Sequence, residues 1–145
     1  MYAELLRRNI SSRIRGSKAS KITKLFHIHV GYENPDVDTS LALVKYMDAF
    51  LGIPSVVKDK DNKRRSLYGK AGCFRLTDYG FEYRVLSSAM MSSTSKLSFI
   101  WKQLQKALKA YHTNYSIPGR DLIQEAINNS NVEIAEQLIT HYNLV

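Results

Sequence analysis

The chain has 145 residues, one domain's worth, and its 44% hydrophobic and 10% aromatic content exclude a disordered polymer. Against 13 Asp and Glu stand 21 Lys and Arg, a net charge of +8 that favours polyanionic partners: nucleic acid, nucleotide phosphates or acidic substrates. A single cysteine, Cys73, excludes an internal disulfide and points to a reducing, cytoplasmic setting. No apolar run reaches the roughly 20 residues that cross a bilayer and no secretory leader is evident, which argues against a membrane partner.

The charge is uneven. Before His27 stand Arg7, Arg8, Arg13, Arg15, Lys18, Lys21 and Lys24 against Glu4 alone. Among them Leu5, Leu6, Ile10 and Ile14 recur at helical spacing and predict a short basic amphipathic helix that stops near Gly16, with a linker over 17–21. Residues 1–21 are therefore expected to form a basic helix and linker outside a main domain of 22–145. Such a helix packs on the body with its arginines in water, or else binds nucleic acid or a membrane surface; the first arrangement is the commoner.

In the stretch from Ile22 to Tyr32, Phe26, Ile28 and Val30 fall on one face of a strand and His27 and His29 on the other. One histidine there would ordinarily be structural. Two at i and i+2 on a polar face are candidates for metal ligation or phosphate donation, with Glu82 the candidate oxygen ligand if the strands are neighbours. A turn around Asn34-Pro35-Asp36 leads to a helix over 38–51, capped by Asp38 or Thr39 and ended by Gly52 and Pro54, whose Leu43, Val44, Met47, Phe50 and Leu51 read as core. Residues 53–57 read as a short apolar strand or buried turn, and 58–65 as a mixed-charge loop. Asp59 and Asp61 open like a calcium loop, but the glycine and glutamate it requires are missing at their spacing.

The segment 63–88 carries most of the functional signal. Strands are expected over 66–76 and 79–87, with Phe81, Tyr83 and Val85 on one face and Glu82 and Arg84 side by side on the other. Upstream, Arg64, Arg65, Lys70 and Arg75 are spaced by Gly69 and Gly72. Clustered cations beside a fixed Glu/Arg pair make an anion site, because the arginine fork offers two parallel donors to phosphate or carboxylate. The bland alternative is a half-buried strand with a solvated hairpin, and Cys73 within it reads as a packed, inert thiol. A Ser/Met/Thr-rich loop over 87–95 precedes a helix over 95–111 with Leu97, Ile100, Trp101, Leu104 and Leu108 on one face. After Pro118-Gly119 comes an αα-hairpin, 120–128 and 132–142. The sum is an α+β fold: an antiparallel sheet with helices packed on one face and a helical C-terminus.

Taken in order, His27 to Tyr32, Leu51 to Ser55, Arg64-Arg65 with Tyr68 to Gly72, and Tyr79 to Arg84 with Ser87 resemble the phage-encoded carboxylate–amine ligases (amidoligases) of type 2. These belong to the superfamily that shares the glutamine synthetase and glutamate–cysteine ligase catalytic fold. The resemblance covers about 22–143 and implies an enzyme that uses ATP and Mg²⁺ to phosphorylate a carboxylate, which an amine then attacks to give an amide or peptide-like bond. It implies His27 and Glu82 as metal ligands, His29 as a nucleotide-phosphate contact, and Arg84 as the residue stabilising the transferring phosphoryl group. Arg64, Arg65 and Arg75 would line the nucleotide or acyl-phosphate region, with Lys70 a weaker candidate; substrates would be a carboxylate and an amine, peptide or protein included.

Two departures stand out. Leu25-Phe26 replaces the glycine pair usual before the H-x-H, and only 26 residues precede His27, where the superfamily carries further metal-binding carboxylates. The chain is thus expected to be the C-terminal portion of the ligase domain, its site completed by a second chain or another copy, with little activity alone. The competing readings are a small basic nucleic-acid-binding protein of phage and a non-catalytic remnant.

Overall fold

A computed structural model of the chain describes residues 26–60 and 62–145, together with the backbone of 11–16. Alternating apolar residues build its sheet. Phe26, Ile28 and Val30 of β2 (Phe26–Gly31) and Phe81 and Tyr83 of β4 (Gly80–Tyr83) are all buried to within 1%. Each such side chain is worth about 1.5–3 kcal/mol of burial. With β1 (Ser11–Gly16) and β3 (Phe74–Thr77) they form a four-stranded antiparallel sheet in the order β1-β2-β4-β3. The register sets His29 opposite Glu82, and Glu82 opposite Arg75. Gly80 closes the β3–β4 turn at φ +150°, and a side chain there would run into the carbonyl oxygen of Val30.

β1 corrects the expected N-terminal helix over its described part. Residues 11–16 pair along β2 from Ser11 with Gly31 to Gly16 with Phe26. They belong to the sheet of the main domain because pairing satisfies backbone groups that β2 would otherwise leave open. The rest of that expectation, residues 1–10 and the linker 17–21, lies outside the described residues.

The core under the sheet is helical. α1 (Val37–Met47) is capped by Asp36 rather than Asp38 or Thr39, the Asp36 carboxylate accepting from the Thr39 amide at 2.8 Å. It does not stop at Gly52: a π-helical segment, Asp48–Gly52, leads straight into α2 (Ile53–Lys58), where a strand or turn was expected. Pro54 has no amide hydrogen for the carbonyl of Phe50, so the wider π turn and a buried side chain take up the difference. Gln103 Nε2 donates to the Phe50 oxygen at 2.8 Å and to that of Leu144 at 2.6 Å. Within Val37–Lys58 a stretch of 18 residues has a mean hydropathy of 1.4, apolar enough to cross a membrane by composition, but 72% of that stretch is buried in the protein as a core helix.

The charged loop expected after it contains α3 (Asn62–Leu67). The long α4 (Thr94–His112), capped by Ser93, packs on α1 and the π segment; α5 (Arg120–Asn128) and α6 (Val132–Tyr142) form the expected hairpin against α2. Trp101, expected on the buried stripe of α4, is 47% exposed, and Gln103 takes a core position instead.

Candidate functional site

On the sheet face opposite the core, His27, His29, Glu82 and Arg84 come together, and Arg75 joins them from β3. Glu82 is the hub, with its side chain only 6% exposed. Arg75 Nη2 donates to Glu82 Oε1 at 2.5 Å, and Arg84 Nε lies 3.4 Å from Oε2. His27 Nδ1 is 3.8 Å from Oε2, and His29 Nδ1 is 3.9 Å from Oε1. The two histidines reach the same carboxylate because they sit at i and i+2 on one strand, and Arg75 reaches it because the ladder puts it directly across.

Charge and burial here pull against each other. Burial opposes ionisation of Glu82, but the hydrogen bond and charge of Arg75, then His29 and Arg84, outweigh it and hold the carboxyl below its usual range. His27 is pushed down, first by burial and then by the Arg84 guanidinium, against a smaller opposing pull from Glu82, so it is neutral at physiological pH. One carboxylate against two guanidiniums leaves the cup with a net positive charge. His27 Nε2, Glu82 Oε2 and Arg84 Nε are buried with no hydrogen-bond partner among the described residues. Glu82 Oε2 and Arg84 Nε lie 3.4 Å apart as an ion pair, so hydrogen-bonding capacity is left over at both of them and at His27 Nε2.

A divalent ion is only half provided for. His27 Nε2 and Glu82 Oε2 have the chemistry to ligate one, yet no group of three His, Cys, Asp or Glu side chains among the described residues forms a metal cluster. An ion held by these two would take its remaining ligands from phosphates and water, as Mg²⁺ commonly does.

The other expected site residues lie elsewhere. Arg64 donates to the carbonyls of Val85 and Leu86, at 2.7 Å in the second case. Arg65 is buried, donating to the carbonyls of Asp59 at 2.9 Å and Ser55 at 3.1 Å. Asp59 in turn accepts from Ser87 Oγ at 2.5 Å. The pair therefore grips the segment leaving β4 from two sides, next to Arg84 but not converging with the Glu82 group. Lys70 is exposed in the turn before β3.

Tyr79 belongs to the site and was not expected there. Its hydroxyl contacts His29 Nδ1, and its carbonyl accepts from the Tyr32 amide at 3.0 Å, which fixes it beside β2. Its place in the Asp78-Tyr79 turn offered no signal until the β2–β4 register was known.

The chain is an α+β domain whose H-x-H and E-x-R strands pair to form a positively charged cup. More particularly, the chain belongs to the phage phiEco32-like COOH·NH2 ligase family, type 2, whose family model matches residues 8–140 and so takes in β1. No curated protein and no solved structure matches.

Proposed function

We propose that the chain is the phosphate-handling part of an ATP-dependent carboxylate–amine ligase, working in the cytoplasm of a phage-infected cell, its site completed by a second chain or another copy. In this reaction a carboxylate oxygen of the substrate attacks the γ-phosphorus of ATP and ADP leaves. The amine nitrogen then attacks the acyl carbon, the bond from that carbon to the phosphate-bearing oxygen breaks, phosphate departs, and the nitrogen gives up a proton.

Each residue of the cup has a task in that sequence. Arg84 and Arg75 face the charge that spreads over the transferring phosphoryl oxygens, where preorganised cations lower the barrier most. With Nδ1 engaged by the Tyr79 hydroxyl, His29 would donate from Nε2 to a phosphate oxygen. His27 and Glu82 would hold the Mg²⁺ that accompanies ATP, which supplies charge neutralisation of the phosphates. Arg64 and Arg65 act by positioning, bracing the exit of β4.

The observation that supports this reading is the gathering of His27, His29, Arg75 and Arg84 around the buried Glu82 carboxylate, with hydrogen-bonding capacity left over at His27 Nε2, Glu82 Oε2 and Arg84 Nε. The test is a calorimetric titration of the chain with Mg²⁺–ATP, wild type against Arg84→Ala. Saturable binding weakened tenfold or more by the substitution is expected. Absence of Mg²⁺-dependent ATP binding, with tight salt-sensitive binding to DNA in its place, would make the protein a nucleic-acid binder instead.

A further inference from the structure

Behind the sheet, on the core side of Tyr83, lies a cavity of about 410 Å³ that the ligase reading does not use. Its walls are two helix stripes. Leu41, Val44, Lys45 and Asp48 stand at i, i+3, i+4 and i+7 on the α1 side, Arg120, Ile123 and Gln124 at i, i+3 and i+4 on α5, and the Ala71-Gly72 turn closes one end. Gly72 leaves open space, with nothing within 4 Å of where a Cβ would stand.

At its floor is a carboxylate in an unusual setting. Asp48 is 4% exposed and opens the π-helical segment, a helix irregularity that is frequent at binding sites. Tyr83 Oη donates to its Oδ1 and the Gly72 amide to its Oδ2, each at 2.7 Å. A carboxylate offers about four acceptor positions, so each oxygen keeps one in reserve. It makes no ion pair among the described residues, although Lys45 is one helical turn away and both Lys45 and Arg120 stand exposed at the mouth. Burial pushes its carboxyl up to about 7, despite the Tyr83 and Gly72 donors, so a cationic group arriving beside it would offset that burial and favour the carboxylate.

We propose that this cavity binds an amino acid with an apolar side chain, its ammonium on Asp48, its carboxylate at Lys45 and Arg120, and its hydrocarbon against Leu41, Val44 and Ile123. The spacing suits it. Side chains one helical turn apart stand roughly 5–6 Å from each other at Cβ, which leaves room for an α-amine and an α-carboxylate to be met by one acid and one base of the same helix. The two rim cations and the single buried acid match a zwitterion better than a plain amine or a plain acid. This site faces away from the Glu82 cup and stands whether or not that cup binds ATP.

The experiment is a set of titrations of the whole chain, without nucleotide, followed by amide and methyl NMR shifts. The probes are L-leucine, isoamylamine (no carboxylate) and 4-methylpentanoate (no amine). L-Leucine is expected to bind saturably, shifting residues of α1 and α5, with both analogues at least tenfold weaker. Lys45→Met and Arg120→Met, at exposed positions that leave the fold intact, should weaken leucine tenfold together while leaving isoamylamine unchanged; Asp48→Asn should weaken leucine and isoamylamine alike. Equal binding of 4-methylpentanoate and leucine would overturn the proposal, as would leucine binding indifferent to Lys45 and Arg120, or no shift at millimolar concentrations of any probe.

Discussion

Arg84 and Glu82 pull the His27 imidazole in opposite directions, and the balance can be read one residue at a time. Burial and then Arg84 resist the imidazolium, while Glu82 favours it, and the net is a pKa below the ordinary 6.5. Arg84→Ala should therefore raise the His27 pKa and Glu82→Gln should lower it further, as followed by NMR titration of the ring; shifts of the opposite sign would mean that the two side chains do not share the cavity. His27 makes the protein less stable as pH falls below 6.5, since the unfolded chain takes up a proton that the folded one refuses. Asp48 acts in the reverse sense. Its folded carboxyl is raised to about 7 from 3.8, so its protonated folded form contributes stability at low pH that is lost as pH rises from about 4 to about 7. The difference in unfolding free energy between wild type and Asp48→Asn isolates this effect from His27. It should move against the wild type by up to ~4 kcal/mol across that window and stay flat above about pH 8, as chemical denaturation at a series of pH values would measure.

At the scale of elements, the site depends on the close pairing of β2 with β4, and Gly80 is where that pairing is most easily broken. Gly80→Ala puts a methyl group against the Val30 carbonyl in a backbone conformation that alanine resists. It should cost about 3 kcal/mol or more in thermal or chemical unfolding, whereas alanine at Arg75, whose side chain is 59% exposed, should cost less. The elements also explain what a reader of the sequence can and cannot see. Alternation of period two made the faces of β2 and β4 legible, because each strand has one wholly apolar side. Ile14 misled for a physical reason: a spacing of four fits one side of a strand as well as of a helix, and over 11–16 only the pairing to β2 decides between them. Residues 53–57 look extended because a proline follows a glycine in a short apolar run. The π turn that carries the helix through, and the Gln103 bond that satisfies Phe50, are made by a residue 53 positions from Phe50.

For the whole molecule, the +8 charge is an ambiguous signal that the fold resolves in part. Arg65 reads as a solvated cation and is buried, and Arg64 is spent on backbone carbonyls. Arg75 and Arg84 turn inward to a single carboxylate. Sequence could name the members of that cup but not separate these two pairs, since contact across strands is set by register. Asp48 was likewise visible only as one acid on an otherwise apolar stripe. The family is named for carboxylate–amine ligation, and in the function proposed above the cup is where that chemistry acts. The most direct test of the central claim is to follow the side-chain nitrogens of His27 and His29 by NMR while Mg²⁺–ATP is added. Both rings should shift saturably and in parallel, and Glu82→Gln should weaken the response. Rings that stay still at saturating nucleotide, or that respond only to DNA, would contradict a phosphate site on this face of the sheet.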